Sequence, residues 1–304
     1  MRHQDLVSEE TIGGKPIFVF ERHNYALIPW ARIARTSTGL VRLLTLDYHT
    51  DTRPAFLGHA CQQFPAHHVA AQEEWRPLAS DEIAAIRIED DKSVELAVTR
   101  LRHDEHIDAA VRSGIVDLAF VVANGDNGHI VSNEQLALDN APGRQLTIMN
   151  DDSPVTISIP NRRQAEPPFT YTIPDNRIVV MPKRHDYPWL EWDDDDRNYL
   201  DAAIESRFLG ERLELIGRIC STGGVPGLFE LPFILDIDLD YFNTRKAVSP
   251  DDAQVFHRII RNAAAITIAR ETRCVEICQL EGEQLTSAVL EQKMKEHIAA
   301  ALAQ

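Results

Sequence analysis

Residues 235–242 read LDIDLDYF, and no other stretch restricts the fold as strongly. Asp236, Asp238 and Asp240 alternate with Leu235, Ile237 and Leu239. On an extended backbone the carboxylates therefore share one face and the aliphatic side chains the other. The residues before them, LPFI, are apolar, and Tyr241 and Phe242 follow. A strand framed in this way belongs inside a sheet, where three unpaired carboxylates are prohibitive. A bound cation resolves the conflict; a solvated edge strand is the competing reading.

A second stretch, RLLTLDYHTD at 42–51, has the same design. The apolar run Leu43–Leu46 leads directly into Asp47, His49 and Asp51, which again project from one face when extended. A third apolar strand, in KPIFVFERHN, ends near His23. In parallel sheets, sites form at the carboxyl ends of strands, so these three strand ends point to one place.

The remaining pattern supports such a sheet. IVDLAFVVANGDN, NRIVVMP and CVEICQLEG read as further strands. SDEIAAIRIED, SVELAVTRLRHDEHIDAAVRSG, DDDDRNYLDAAIESRFLGERLELIGRICSTGG, SPDDAQVFHRIIRNAAAITIA and EQLTSAVLEQKMKEHIAAALA read as helices. Alternation of continuous apolar strands with helices predicts a parallel sheet covered on both faces. QLTIMNDDSPVTISIP reads as a hairpin about an Asp-Ser-Pro turn, within a Pro-rich, helix-poor stretch. The expectation is one domain over residues 1–304 with a β-hairpin insertion around 139–175.

With a formal net charge of −16, the chain is a poor partner for nucleic acid or an anionic membrane. No run approaches the ~20 apolar residues of a membrane span, and MRHQDLVSEE lacks a signal-peptide core. The expected compartment is the cytoplasm. The four cysteines, Cys61, Cys220, Cys274 and Cys278, are scattered and form no CxxC pair, which argues against a disulfide framework; Cys274 and Cys278 read as buried free thiols on one face of a strand.

The candidate ligands combine two imidazoles with a majority of carboxylates and no thiolate, a hard set that favours Mn(II), with Fe(II) or Mg(II) as lesser choices. They contain more acids than one divalent ion uses, which points to two metals sharing carboxylates. Such a pair acidifies a water and polarises an electrophile.

DYHTD followed by DIDLD resembles the two signature segments of the ureohydrolase superfamily, which includes arginase and agmatinase. RLLTLDYHTD, DEHIDAA and LDIDLDYF together resemble an arginase-like family that includes the peptide arginases. Those enzymes convert arginine side chains of ribosomally made precursor peptides to ornithine and urea. The resemblance runs in order from His23 to Glu276. There are departures: ERHN stands where the family has Gly-Gly-Asp-His-Ser, Asp236 where arginases have serine, and no Asp-Pro follows the second motif.

The resemblance implies a three-layer α/β/α arginase/deacetylase-like fold with a central, mostly parallel sheet. It also implies two Mn(II) ions. One is held by His23, Asp47, Asp51 and Asp238, the other by Asp47, His49, Asp238 and Asp240; the alternative register uses Asp236. Glu276 is expected to pair with the guanidinium from a strand, and Asp51 to handle the proton of the attacking water. His106 is a candidate proton shuttle, with His59, His67 and His68 as others. Asn124 and Asp126 are candidates for the pocket wall, or for a plain turn. The aromatic stretch HDYPWLEWDDDD either grips a peptide or caps a helix.

The implied partner is a precursor peptide with an arginine-containing core, with or without a leader segment, and homo-oligomers are common in the superfamily. Two other activities keep the metals: hydrolysis of a small free guanidine, as in agmatinase or arginase, and deacetylase-like amide hydrolysis. A non-catalytic binding relative is the third reading; its mark is loss of metal ligands, and none is visibly lost.

Overall fold

The computed structural model describes residues 7–63, 71–124, 144–150, 153–159, 170–182 and 195–303. Seven strands form one sheet: β1 (Val7–Ile12), β2 (Lys15–Phe20), β3 (Arg42–Asp47), β4 (Leu118–Ala123), β7 (Ile178–Pro182), β8 (Phe233–Asp238) and β9 (Ala265–Ala269). Their order is β1-β2-β9-β8-β3-β4-β7. Every neighbouring pair is parallel except β1 with β2, a hairpin turning through Gly13 and Gly14, both at positive φ. The chain is thus an α/β protein with a central, mostly parallel sheet.

Each face of the sheet carries its own apolar layer. Leu44, Leu46, Leu235, Ile237, Ile266 and Ile268 pack with Phe208, Ile216, Ile259 and Leu290. Those partners lie on α7 (Ser206–Thr222), α8 (Gln254–Asn262) and α10 (Ser287–Leu302). On the other face Leu43, Ile234 and Ala265 pack with Leu27, Trp30, Val94 and Ile107. These belong to α1 (Leu27–Thr36), α4 (Asp91–Arg100) and α5 (His106–Arg112). Helices α2 (Leu57–Gln63) and α3 (Ala71–Ala84) precede α4, and α6 (Asp195–Asp201) precedes α7. Strands β5 (Arg144–Asn150) and β6 (Ser153–Ile159) pair antiparallel as a separate ribbon. Residues 139–143 and 160–169 of the expected insertion lie outside the described residues.

Four readings of the sequence need correction. The helix expected over 93–114 breaks after Arg100 and restarts at His106. Asn24 Nδ2 takes the carbonyls of Val98 and Leu101, and Glu105 accepts from the backbone of Gly58 and Arg102, so tertiary bonds replace the helical ones. The helix expected from Asp193 is likewise two, α6 and α7. Residues 265–269, read as the tail of a helix, form β9, fully buried between β2 and β8. CVEIC, read as a strand, lies in the short helix α9 (Thr272–Cys278). Placement between two buried strands outweighs the helix propensity of the preceding alanines at β9.

Candidate metal centre

The polar face of β8 turns toward the α1 side, in line with polar residues of its neighbours. Asp236 sits in register with Thr45 on β3 and Thr267 on β9. Both hydroxyls donate to it, at 2.8 Å from Thr45 and 2.5 Å from Thr267. Trp30 Nε1 donates in turn to Thr267 Oγ1 at 3.1 Å. Asp236 is thereby spent: it also accepts from His23 Nε2 at 2.7 Å and stands outside the ligand cluster.

His23 follows β2 in a tight turn, its backbone N–H held by Glu271 Oε1 at 2.9 Å. With Nε2 donating to Asp236, Nδ1 faces the cluster. It lies 3.0 Å from Asp238 Oδ2, 3.1 Å from Asp51 Oδ2 and 3.5 Å from Asp47 Oδ2. These four side chains, all buried, each bring one ligand atom within 4.8 Å of the others. The second oxygens of Asp47 and Asp238 are tied to backbone. Asp47 Oδ1 accepts from His49 N at 2.7 Å and Asp238 Oδ1 from Asp240 N at 3.2 Å. Asp51 reaches the group only through a left-handed backbone, φ 48°, a conformation that costs about 1–2 kcal/mol outside glycine.

A second group lies toward the surface. His49 Nδ1 is 3.1 Å from Asp240 Oδ2 and 4.0 Å from Asp47 Oδ1, and 45% of its side chain is exposed. Cys278, at the end of α9, completes this group within the same 4.8 Å limit. Asp240 is buried, its Oδ1 accepting from Tyr48 N at 3.3 Å.

Charge crowding sets the electrostatics. Burial, and then repulsion from neighbouring carboxylates, pushes Asp47 and Asp238 well above the ordinary carboxylate range. Asp51 is raised, chiefly by burial, with His23 opposing. For His23, burial favours the neutral ring, but Asp236 and Asp238 outweigh it and raise its pKa well above the usual value. The bond to Asp240 lifts His49 to about 9. Cys278 is pushed up to about 12 by burial and the carboxylates around it. Three buried atoms directed into the cluster, His23 Nδ1, Asp47 Oδ2 and Asp240 Oδ2, face only other members of it and have no hydrogen-bond partner outside. Unpaired donor atoms among repelling carboxylates fit a site for divalent cations.

Other predicted residues fall elsewhere. Glu276 is exposed on α9, because the segment is a helix rather than a strand, and it has no place in the cluster. The carboxylate at the end of the true strand is Glu271, two residues past β9, again in a left-handed conformation, φ 35°. The ITI alternation in AITIA was the signal that would have exposed it. His106 is buried against His23, ring centroids 4.3 Å apart, and against Trp30. Its Nδ1 bonds His103 O at 2.7 Å and lies 4.0 Å from Asp51 Oδ2, while Nε2 has no partner. Burial holds its pKa well below the usual value. His23, Asp51 and His106 also bring ligand atoms within 4.8 Å of one another.

Asn124, at the end of β4, donates to Tyr241 O and Asn243 Oδ1, which makes it a brace for the loop after β8. His59 lies beside Gln63 and Glu82. Asp126, His67, His68 and most of HDYPWLEWDDDD lie outside the described residues.

No family model and no curated protein matches the chain. Among solved structures it is similar to proclavaminate amidino hydrolase from Streptomyces clavuligerus, with 12% identity and a TM-score of 0.39 over 94% of this chain and 63% of that one. The chain thus spans less than two thirds of that protein's length. No helix among the described residues is long and apolar enough to cross a membrane.

Proposed function

We propose that the chain is a metal-dependent hydrolase of the ureohydrolase type, acting on arginine side chains of a peptide to give ornithine and urea. The observation that carries this reading is the set of four buried ligand atoms from His23, Asp47, Asp51 and Asp238 at adjoining strand ends, with His23 oriented from behind by Asp236. A carboxylate that fixes a histidine's far nitrogen is the usual support of a metal-binding imidazole. His49 and Asp240 would hold a second ion beside them, with Asp47 and Asp238 within reach of both positions. The oxygen-rich donors suit Mn(II). Ions bound there supply an acidified water and Lewis acidity.

The chain's own residues supply the rest. Glu271 lies two residues past β9, its Oε1 on the backbone N–H of His23, so its carboxylate is the acid at that strand end nearest the cluster and the one to face a guanidinium. That takes over the role expected of Glu276. Asp51, held against His23 with one oxygen in the cluster, is the carboxylate best placed to accept the proton of an attacking water. His106 is sealed from solvent, so it supports His23 and Asp51 and does not exchange protons with bulk water. The preference for peptidyl arginine rests on the resemblance of RLLTLDYHTD, DEHIDAA and LDIDLDYF to the peptide arginases.

The test is incubation of manganese-loaded protein with arginine-containing peptides, free arginine, agmatine and acetyl-lysine peptides. Urea release, with loss of one CH2N2 unit from the peptide mass, is the expected result. Acetate from the lysine peptides with no urea overturns the guanidine reading. Urea from the small guanidines alone overturns the peptide part. Loss of a hydrogen bond to a charged group costs about 1.5–3 kcal/mol, so Glu271→Gln lowers kcat/KM roughly 10- to 100-fold. Glu276→Gln leaves it unchanged; the reverse pattern returns the guanidinium contact to Glu276.

A further inference from the structure

The outer group contains a donor that the hard-ligand reading does not use. Cys278 Sγ, His49 and Asp240 bring their ligand atoms within 4.8 Å of one another. Asp240 Oδ2, in a side chain 1% exposed, is directed into that group, facing His49 Nδ1 at 3.1 Å and without a hydrogen-bond partner outside it. The sulfur is held there by design of the surrounding loops. Buried Asn243 donates from Nδ2 to both Asp240 O, at 3.1 Å, and Cys278 O, at 2.9 Å. Its backbone carbonyl takes Leu280 N at 2.9 Å, and its Oδ1 takes Asn124 Nδ2 at 2.7 Å. One asparagine therefore clamps the end of α9 against the turn after β8. The other helix thiol, Cys274, points to Glu271, its Sγ 3.6 Å from Oε2, and is not in the group.

We infer that Cys278 is a thiolate ligand of the outer cation, so that the two metal positions have different donor sets. The inference rests on the reading of the cluster as a metal pair. On binding, the S–H proton leaves to solvent and the sulfur lone pair makes the coordinate bond; no oxidant is needed. The inner position keeps one imidazole and three carboxylates, whereas the outer adds a soft sulfur to His49 and Asp240. Soft ligands favour Fe(II), Co(II) or Zn(II) over Mn(II), so the outer position selects a different metal from the inner one.

Cobalt(II) titration of the full chain tests this by absorbance, without reference to turnover. The wild type is expected to take up two equivalents and to develop a thiolate-to-cobalt charge-transfer band in the near ultraviolet with one of them. Cys278→Ser loses the band and binds that equivalent at least tenfold more weakly, since loss of even an outer support costs about 10–100-fold. Cys274→Ser keeps the band. Alkylation mapped by mass spectrometry needs no variant: cobalt loading protects Cys278, while exposed Cys61 reacts equally with and without metal. Two equivalents bound with no band and no protection overturn the thiolate and leave the metal pair standing. A chain that binds no cobalt overturns both.

Discussion

His23 and His49 both approach the carboxylates through Nδ1, yet they are held in opposite ways. His23 is fully buried, its far nitrogen fixed by Asp236, whose carboxylate is fixed by Thr45 and Thr267 and backed by Trp30. His49 sits two residues beyond its strand, nearly half exposed, its ring edge-on to Tyr48 at 5.0 Å. The inner half rests on Asp47 and Asp238 at strand ends and is backed by Thr45, Asp236 and Thr267 in sheet register, so most of its geometry comes with the fold; only His23 and Asp51 reach it through turns. The outer half comes from loops and a helix end, tied together by Asn243. Affinity at the inner position is therefore preorganised, and affinity at the outer one depends on how its loops are held.

Asp47 and Asp238 are the points where the two halves cannot be separated, and the largest effect is expected there. Asp238→Asn removes a donor facing His23 and weakens the link to Asp240, whose backbone N–H its other oxygen accepts. Both ions are lost together, with urea release falling to background; metal analysis of the purified variant checks this. Retention of one ion would mean that the halves are independent sites. Next in size is Asp236→Ala, which touches no ion. It frees His23 Nε2 and two hydroxyls, and lowers metal affinity at the inner position by about 10–100-fold while sparing the outer one. Equal loss at both positions breaks the distinction.

The inner half was also the more legible in the sequence. Alternation in LDIDLD placed Asp236 and Asp238 on one face, because a strand's period of two is local. But β3 ends at Asp47 and β8 at Asp238, so Asp51 and Asp240 enter through turns and not along an extended face. Choosing between Asp236 and Asp238 needed the neighbouring strands, since only register places Thr45 and Thr267 beside Asp236. Glu271 was missed because the alanines at 263–265 extended a helical pattern through β9, which pushed the strand reading onto CVEIC. Cys278 was invisible for a different reason: it enters the site through a bridge from Asn243, 35 residues away in sequence. The left-handed backbone at Glu271 has no local signature either, as glutamate is not among the residues enriched in that conformation.

The pH dependence of the metal-free chain distinguishes the halves by window. Asp47, Asp51 and Asp238 have raised pKa values, so the folded state binds protons more readily than the unfolded one. Stability therefore falls as pH rises above their ordinary value of about 3.9. His49 is raised to about 9, so its contribution is complete below an unfolded pKa of about 6.5 and is lost as pH climbs toward 9. His23 has the same sign, while His106, held low by burial, acts the other way, losing stability as pH falls below about 6.5. In chelator, Tm should fall from pH 6.5 to 9. Asp240→Asn should flatten that slope by removing the partner of His49, and manganese should flatten it by replacing protons. A Tm that rises over this interval would show that the carboxylates do not carry the balance.

The smallest effects lie at the far end of the inner network, where they show how deep the preorganisation runs. Thr267→Val keeps the shape but leaves buried Asp236 Oδ1 without its hydroxyl donor, at a cost of about 1–3 kcal/mol. The free carboxylate lobe then lets His23 turn, so inner metal affinity falls with stability. Trp30→Phe removes the indole N–H that Thr267 Oγ1 accepts and part of a fully buried ring, while the threonine hydroxyl still donates to Asp236. Its stability cost is the lost hydrogen bond, about 0.5–1.5 kcal/mol, plus that of the cavity left by the smaller ring, with metal affinity unchanged. If Trp30→Phe weakened the inner ion as much as Thr267→Val, orientation of His23 would depend on the packing of α1 and not on the hydroxyl row. The inner half would then be no more preorganised than the outer.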